Sequence, residues 1–76
     1  MKRDLLIQAN YRYNFDRDMY VNRDNKKAFS IEFVDDAPEA EIADKIKEKT
    51  DGRHWTFYTN LDLTDGIKLE LERVLG

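Results

Sequence analysis

Apolar and polar residues alternate strictly near the start of the chain. From Leu5 to Phe15 the odd positions are Leu, Ile, Ala, Tyr, Tyr and Phe, and the even positions from 8 to 14 are polar. A period of two is typical of a strand with one buried face, because a helix would scatter these residues around its axis. The pattern therefore predicts one long first strand over residues 5–15, with Leu6 as the one apolar residue on its polar face.

A polar turn at residues 16–18 follows this first strand. Residues directly opposite each other in an antiparallel pair share a face of the sheet. A three-residue loop centred on Arg17 pairs Tyr13 with Val21 and keeps both on the apolar face, which a two-residue loop would not do. We therefore predict that a second strand at residues 19–21 pairs with the first.

A second polar turn leads to a third predicted strand over residues 28–34. A loop centred on Asn25 would pair Val21 with Phe29, and asparagine tolerates the left-handed backbone that such a loop usually needs. The alternative is a two-residue loop, which would turn Tyr20 inward beside Phe29 and push Val21 outward. The length of this loop decides which face of the second strand is buried.

Residues 35–52 carry the signals of a helix. Asp36 can cap free amides, Pro38 is tolerated in a first helical turn, and Gly52 fits the stop. Small and apolar residues form a thin stripe between these signals. We predict a helix from Asp36 to about Thr50.

The last third of the chain contains one predicted strand and one predicted helix. Residues 53–60 alternate in polarity, and we expect the large apolar pair Trp55 and Phe57 to face the core. Residues 64–75 contain good helix formers and an apolar stripe at helical spacing, so we predict a helix there. A fifth strand is the alternative, because residues 67–71 also alternate.

These elements predict a single α+β domain over residues 1–76. The order is β-β-β-α-β-α, a mostly antiparallel four-stranded sheet with two helices packed on one face. The other face would be open to solvent. It would carry Gln8, Asn10, Arg12, Tyr20, Asn22, Ser30, Glu32, His54, Thr56 and Tyr58.

Composition narrows the possible environments and chemistries. The chain has no cysteine, which excludes disulfides and thiolate metal sites and suits a reducing, cytoplasmic location. No apolar run approaches the roughly 20 residues of a membrane span, and the first residues do not resemble a signal peptide. The carboxylate pairs lack the spacing of a calcium loop, so we expect no metal and no cofactor.

Charge is unevenly distributed along the chain. The net charge is −3, yet residues 1–27 hold seven Lys or Arg against four Asp, while residues 28–76 hold six against twelve acidic residues. Such asymmetry can mark an interaction surface, although a solvated basic hairpin beside two acidic helices explains it equally simply. The asymmetry makes the first hairpin a candidate contact surface.

His54 is the single histidine and the one side chain suited to proton transfer near neutral pH. Arg53, Tyr58 and Glu32 would lie near it on the predicted sheet or its edge, as in a metal-independent nuclease. No residue pattern fixes these neighbours in place. We therefore predict that the chain is not an enzyme and keep this nuclease-like site as the weakest hypothesis.

The leading hypothesis is a small binding or regulatory domain that contacts another protein through an exposed sheet face or edge. A symmetric homodimer is one form of such contact. The alternative is a nucleic-acid-binding module that uses the basic first hairpin and exposed tyrosines for stacking. The candidate contact residues are Arg12, Arg17, Tyr20, Arg23, Lys26, Lys27, His54 and Tyr58.

Overall fold

A computed structural model describes residues 1–75 of the chain. The predicted α+β class and the four-stranded sheet are confirmed, whereas the predicted number of two helices is wrong, since residues 1–75 form four. The elements are α1 (Lys2–Gln8), β1 (Arg12–Asn14), β2 (Met19–Asn22), β3 (Lys27–Ser30), α2 (Ile31–Asp36), α3 (Glu39–Lys47), β4 (Thr56–Tyr58) and α4 (Asp65–Leu75).

The sheet is mixed and its strands follow the order β1-β2-β3-β4. The first three strands form the predicted antiparallel meander. Strand β4 is parallel to β3, so the chain must cross over between them, and α2 and α3 make this connection. A different set of loops therefore lies at each end of the sheet, and the two ends differ in their side chains.

The predicted long first strand is wrong, because its first half is helix α1. The helix buries Leu6 completely, and Asn10 then takes a left-handed backbone conformation with φ 71°. The amide of Tyr11 donates to the carbonyl of Leu6 at 2.9 Å, which closes the helix end. Period-two alternation does not exclude a helix this short. Packing of Leu6 against the other helices favours the helix over the predicted strand.

The predicted third strand also divides into two elements. Strand β3 ends at Ser30, whose hydroxyl accepts a hydrogen bond from the amide of Phe33 at 3.1 Å. This side-chain cap starts α2, in which Val34 is fully buried. The apolar residues that suggested a continued strand therefore form the buried side of a short helix.

Strands β2 and β3 pair in the register that the sequence predicted for the alternative, a two-residue loop between them. Tyr20 lies opposite Phe29 and Val21 opposite Ala28, so the loop centred on Asn25 is wrong. The first loop is also longer than predicted, because Tyr13 pairs with Tyr20 rather than with Val21. Tyr20 consequently shares a face with Phe29, whereas Met19 and Val21 lie on the other face and are also buried.

Apolar cores lie on both faces of the sheet, so the prediction of one open face is wrong. Helices α1 to α3 cover the first core, which contains Leu6, Tyr11, Tyr20, Phe29, Val34, Ala37, Ile42 and Tyr58. Helix α4 covers the second core on the other face. It contains Met19, Val21, Ala28 and Leu75, with Trp55, Phe57 and Leu71 packed against it.

Helix α4 and strand β4 lie close to their predicted positions, and helix α3 is shorter than predicted. Residues 65–75 are helical, which excludes the fifth strand over 67–71. Helix α3 covers Glu39–Lys47 because the chain is still extended at Ala37 and Pro38. Strand β4 contains the three residues Thr56–Tyr58.

Leu75 should contribute strongly to stability, because its side chain is 1% exposed against the second core. We expect Leu75→Ala to lower the free energy of unfolding by about 2–4 kcal/mol, measured by urea denaturation. The control is Leu69→Ala in the same helix, where the side chain is 63% exposed. It should change the free energy by less than about 0.5 kcal/mol. Equal effects would show that α4 does not cover this face.

Candidate functional site

Lys27, a predicted contact residue, is 2% exposed and its ammonium group belongs to the interior. Its Nζ donates to the carbonyl oxygens of Lys45 at 2.6 Å, Ile46 at 3.0 Å and Glu48 at 2.9 Å. These carbonyls lie at the C-terminal end of α3, where helical partners are missing and the helix dipole favours a cation. Burial lowers the pKa of Lys27, and the nearby Glu48 carboxylate opposes this shift.

Tyr58 was also predicted as a contact residue and is 8% exposed. Its ring stacks on Phe29 with centroids 4.5 Å apart, and the Nζ of Lys27 lies 5.6 Å from the ring centroid. The hydroxyl of Tyr58 donates to Oε2 of Glu48 at 2.6 Å. Burial and this hydrogen bond raise the pKa of Tyr58, and the same bond lowers the pKa of Glu48. Tyr20 is 5% exposed in the same core.

The other predicted contact residues are accessible but do not form one surface. Arg12 is exposed on the edge strand β1, and its guanidinium donates to the carbonyl of Tyr11 at 3.1 Å. Arg17 lies in the turn between β1 and β2. Arg23, Lys26 and His54, by contrast, lie together at the end of the sheet opposite Arg17.

A basic cleft of about 250 Å³ lies where the β2–β3 turn meets the loop before β4 and the last turns of α4. Three of its residues, Arg53, Trp55 and Glu72, were not predicted as contact residues. Arg53 is adjacent to His54 in sequence, whereas Trp55 was expected in the core, against which it packs in part. The lining consists of Arg23, Lys26, Arg53, His54, Trp55 and Glu72.

Hydrogen bonds hold the walls of the basic cleft. Nε of Arg23 donates to the carbonyl of Leu75 at 2.7 Å, and Nζ of Lys26 donates to the carbonyl of Arg53 at 3.2 Å. One carboxylate oxygen of Asp51 accepts the amides of Arg53 at 2.9 Å and His54 at 3.2 Å. These bonds lower the pKa of Asp51. Arg23 and Lys26 thus use part of their cationic groups to hold the walls, whereas the guanidinium of Arg53 takes no part in these bonds.

Among the described residues, the cations of the basic cleft have no carboxylate partner closer than 4 Å. Within residues 1–75, the ion pairs closer than 4 Å join the N-terminus to Asp4, Arg3 to Asp35 and Lys45 to Glu48. Glu72 lines the cleft but makes none of these pairs. Three cationic side chains therefore face one carboxylate, and the cleft can attract an anion.

A second surface, the apolar groove, occupies the other end of the sheet and has a volume of about 240 Å³. It was not predicted, because its leucines come from the loop before α4, which carried no strong pattern. Leu61 is 64% exposed at this position. The lining consists of Arg17, Asp18, Met19, Ser30, Ile31, Glu32, Thr59, Leu61, Leu63 and Leu71.

Of the four residues of the nuclease-like hypothesis, Arg53 and His54 share the basic cleft, whereas Glu32 and Tyr58 lie elsewhere. Glu32 lines the apolar groove, and the hydroxyl of Tyr58 is engaged by Glu48, whereas His54 lines the basic cleft. Among residues 1–75, no three His, Asp or Glu side chains are arranged to hold a metal ion. The accessible chemistry of this chain is therefore a cationic cleft and an apolar groove.

Comparison with known proteins gives no family assignment. No protein-family model, curated protein or solved structure matches the chain. None of the helices in residues 1–75 is long and apolar enough to cross a membrane. The fold defines a small α+β domain with a mixed sheet that is covered on both faces.

The contacts of Lys27 give a stability prediction. Replacing it by methionine (Lys27→Met) removes a donor from three part-buried carbonyl groups. The Lys45 carbonyl keeps the amide of Glu48 as a donor and the other two lose theirs, so the free energy of unfolding should fall by about 2 kcal/mol or more. Urea denaturation at neutral pH measures this. Lys26→Met is the matched control, because the Lys26 ammonium makes one hydrogen bond and its side chain is half-exposed. A loss for Lys27→Met no larger than the control's would contradict the internal role.

The lowered pKa of Glu48 predicts a dependence of stability on pH. The ordinary pKa of a glutamate side chain is 4.5, so the contribution of Glu48 is present above that pH and is lost as pH falls through the lower pKa of the folded state. Glu48→Gln should therefore destabilise at pH 7, and the difference from wild type should shrink towards pH 3. Urea titrations across this range test it. The same pattern in Glu70→Gln would show that net charge, rather than the Tyr58 contact, is responsible.

Proposed function

We propose that this chain is a non-catalytic binding domain that acts by contact with another protein through the apolar groove. The observation that carries this proposal is the exposure of Leu61, at 64%, on a groove already lined by Ile31, Leu63 and Leu71. Removing a leucine side chain from water contributes roughly 1.5–3 kcal/mol. A partner that covers this groove would gain that contribution.

Exposed apolar side chains continue from the groove along α4. Ile67 precedes the groove residue Leu71 by one helical turn and is 45% exposed, and Leu69 is 63% exposed. A second, larger concavity of about 410 Å³ shares Leu61 and Leu63 with the groove and extends to Lys68. Apolar side chains are thus concentrated at one end of the molecule, as expected for the centre of an interface.

Charged residues surround the groove with both signs. Arg17 and Asp18 lie in the β1–β2 turn, and Glu32 lies in the first turn of α2. A polar rim around an apolar centre is the usual arrangement of a protein interface, in which rim charges orient the partner. This arrangement favours a protein partner over a small apolar ligand.

The edge strand β1 is the second contact surface that the sequence predicted. Tyr13 is 45% exposed and Phe15 is 77% exposed beside it. The strand has three residues, so an added strand would form few backbone hydrogen bonds. We therefore place the main contact at the groove. A homodimer remains one form of the contact, and the cytoplasmic location remains a prediction.

Site-specific photo-crosslinking tests this proposal. A photoreactive amino acid in place of Leu61 should form adducts with one protein when the chain is expressed in its native cells. An adduct of twice the chain's mass identifies a homodimer, and any other mass identifies a different protein. The matched control carries the same group in place of Glu70, which is exposed on α4 outside the groove.

Two outcomes would refute the groove as a protein-binding surface. One is the absence of any adduct at position 61 in a variant whose circular dichroism matches the wild type. The other is the same set of adducts at positions 61 and 70, which would indicate random encounters. Adding Leu63→Asp to the position-61 variant should abolish the adduct, because it puts a charge into the same groove.

A further inference from the structure

Two clefts flank the same pair of loops at the end of the sheet opposite the apolar groove. The basic cleft lies on one side of the β2–β3 turn, and a second cleft of about 280 Å³ lies on the other side. We call this whole region the basic end. The second cleft is lined by Asp24, Asn25, Lys27, Ile46, Lys47, Glu48, Lys49, Thr50 and Gly52.

Positive charge predominates along the basic end, although the chain as a whole is acidic. Together the two linings hold six Lys or Arg side chains and three carboxylates. One of these cations, Lys27, is buried and its Nζ is held by three backbone carbonyls. One of the carboxylates, Glu48, already accepts the Tyr58 hydroxyl and pairs with Lys45 at 3.8 Å, so five cations and two carboxylates remain. Lys47 and Lys49 are exposed and, within residues 1–75, make no ion pair closer than 4 Å.

We propose that the basic end binds single-stranded nucleic acid, with phosphates held by Arg23, Lys26 and Arg53 and a base against Trp55. This site is separate from the groove of the proposed function and does not depend on it. Arginine favours phosphate because its planar guanidinium can donate two parallel hydrogen bonds. Arg23 is fixed through Nε by the carbonyl of Leu75 at 2.7 Å, which reduces the entropy lost on binding.

The dimensions of the clefts favour a chain-like ligand. Each cleft is smaller than the roughly 300–1,000 Å³ of pockets that enclose a drug-sized molecule. Each can take one phosphate and its neighbouring group, and the two lie side by side across the β2–β3 turn. A polymer with regularly spaced phosphates can occupy both, whereas a single small anion would fill only one.

The presence of Trp55 in the basic cleft favours a nucleic acid over an acidic peptide as the ligand. It is half-buried in the basic cleft, and its ring lies nearly parallel to that of Phe57, with centroids 6.1 Å apart and an angle of 13°. Stacking on an aromatic ring contributes roughly 1–3 kcal/mol per base in single-strand binding proteins. An acidic peptide would use the cations and gain nothing comparable from the indole.

The fluorescence of Trp55 provides a direct test, because it is the single tryptophan of the chain. Titration with a mixed-sequence single-stranded DNA 12-mer should change the emission at low salt. With three phosphates neutralised, the logarithm of affinity should fall with the logarithm of salt concentration with a slope of about −2. No change in emission at low salt would overturn the proposal.

Charge-matched variants assign the site. The double variant Arg23→Gln and Arg53→Gln should weaken binding at least tenfold. Lys2→Gln with Lys68→Gln also removes two positive charges but lies outside both clefts, and it should weaken binding less than twofold. Equal losses would show that net charge alone governs binding. Arg53→Gln alone should still weaken binding about threefold if the double variant fails to fold.

A competition experiment separates the ligand classes. A polyglutamate peptide with the same charge as the DNA should displace it weakly and leave the Trp55 emission almost unchanged. Equal displacement and an equal emission change would overturn the nucleic-acid proposal in favour of an acidic peptide. Inorganic phosphate at millimolar concentration should compete without reproducing the emission change, because it lacks a base.

Discussion

The buried ammonium group of Lys27 is the contact on which the arrangement of sheet and helices depends. A buried charge must find partners, and here it donates to three carbonyls at the end of α3. This fixes α3 across β3, and β4 returns beside β3 in the parallel direction. The hydrogen bond from Tyr58 to Glu48 joins β4 to the same helix end. One cluster thus unites the antiparallel hairpins with the parallel crossover.

Because both faces of the sheet are covered, a partner can bind this small domain only at other surfaces. Helices α1 to α3 lie on one face and α4 lies on the other, so every residue of β2 is buried. The accessible chemistry is consequently displaced to the two ends of the sheet, where loops converge. One end gathers apolar side chains around Leu61, and the other gathers cations around Trp55. The two surfaces differ in chemical character, so each can bind a different partner.

The candidate site was predictable in part. Arg23 and Lys26 belong to a polar turn, so their accessibility followed from the sequence, and pairing of β3 with β4 brings them close to His54. His54 was expected on the open face of a strand over residues 53–60, but it is exposed because it lies in the loop before β4. The parallel direction of that pairing could not be predicted, because alternation is the same in both directions. The burial of Tyr20 was missed because one face of the sheet was expected to be open, whereas helices cover both faces.

The sequence by itself determined the α+β class, the three-strand meander and the last helix, because these follow from local periodicity and turn residues. Tertiary structure alone decided that residues 2–8 form a helix, that α4 covers the second face and that Lys27 is internal. The reason is physical. Short apolar segments are compatible with both the helix period and the strand period. A lysine is expected in solvent from sequence alone, and only the tertiary structure shows that a helix end supplies carbonyl partners for a buried one.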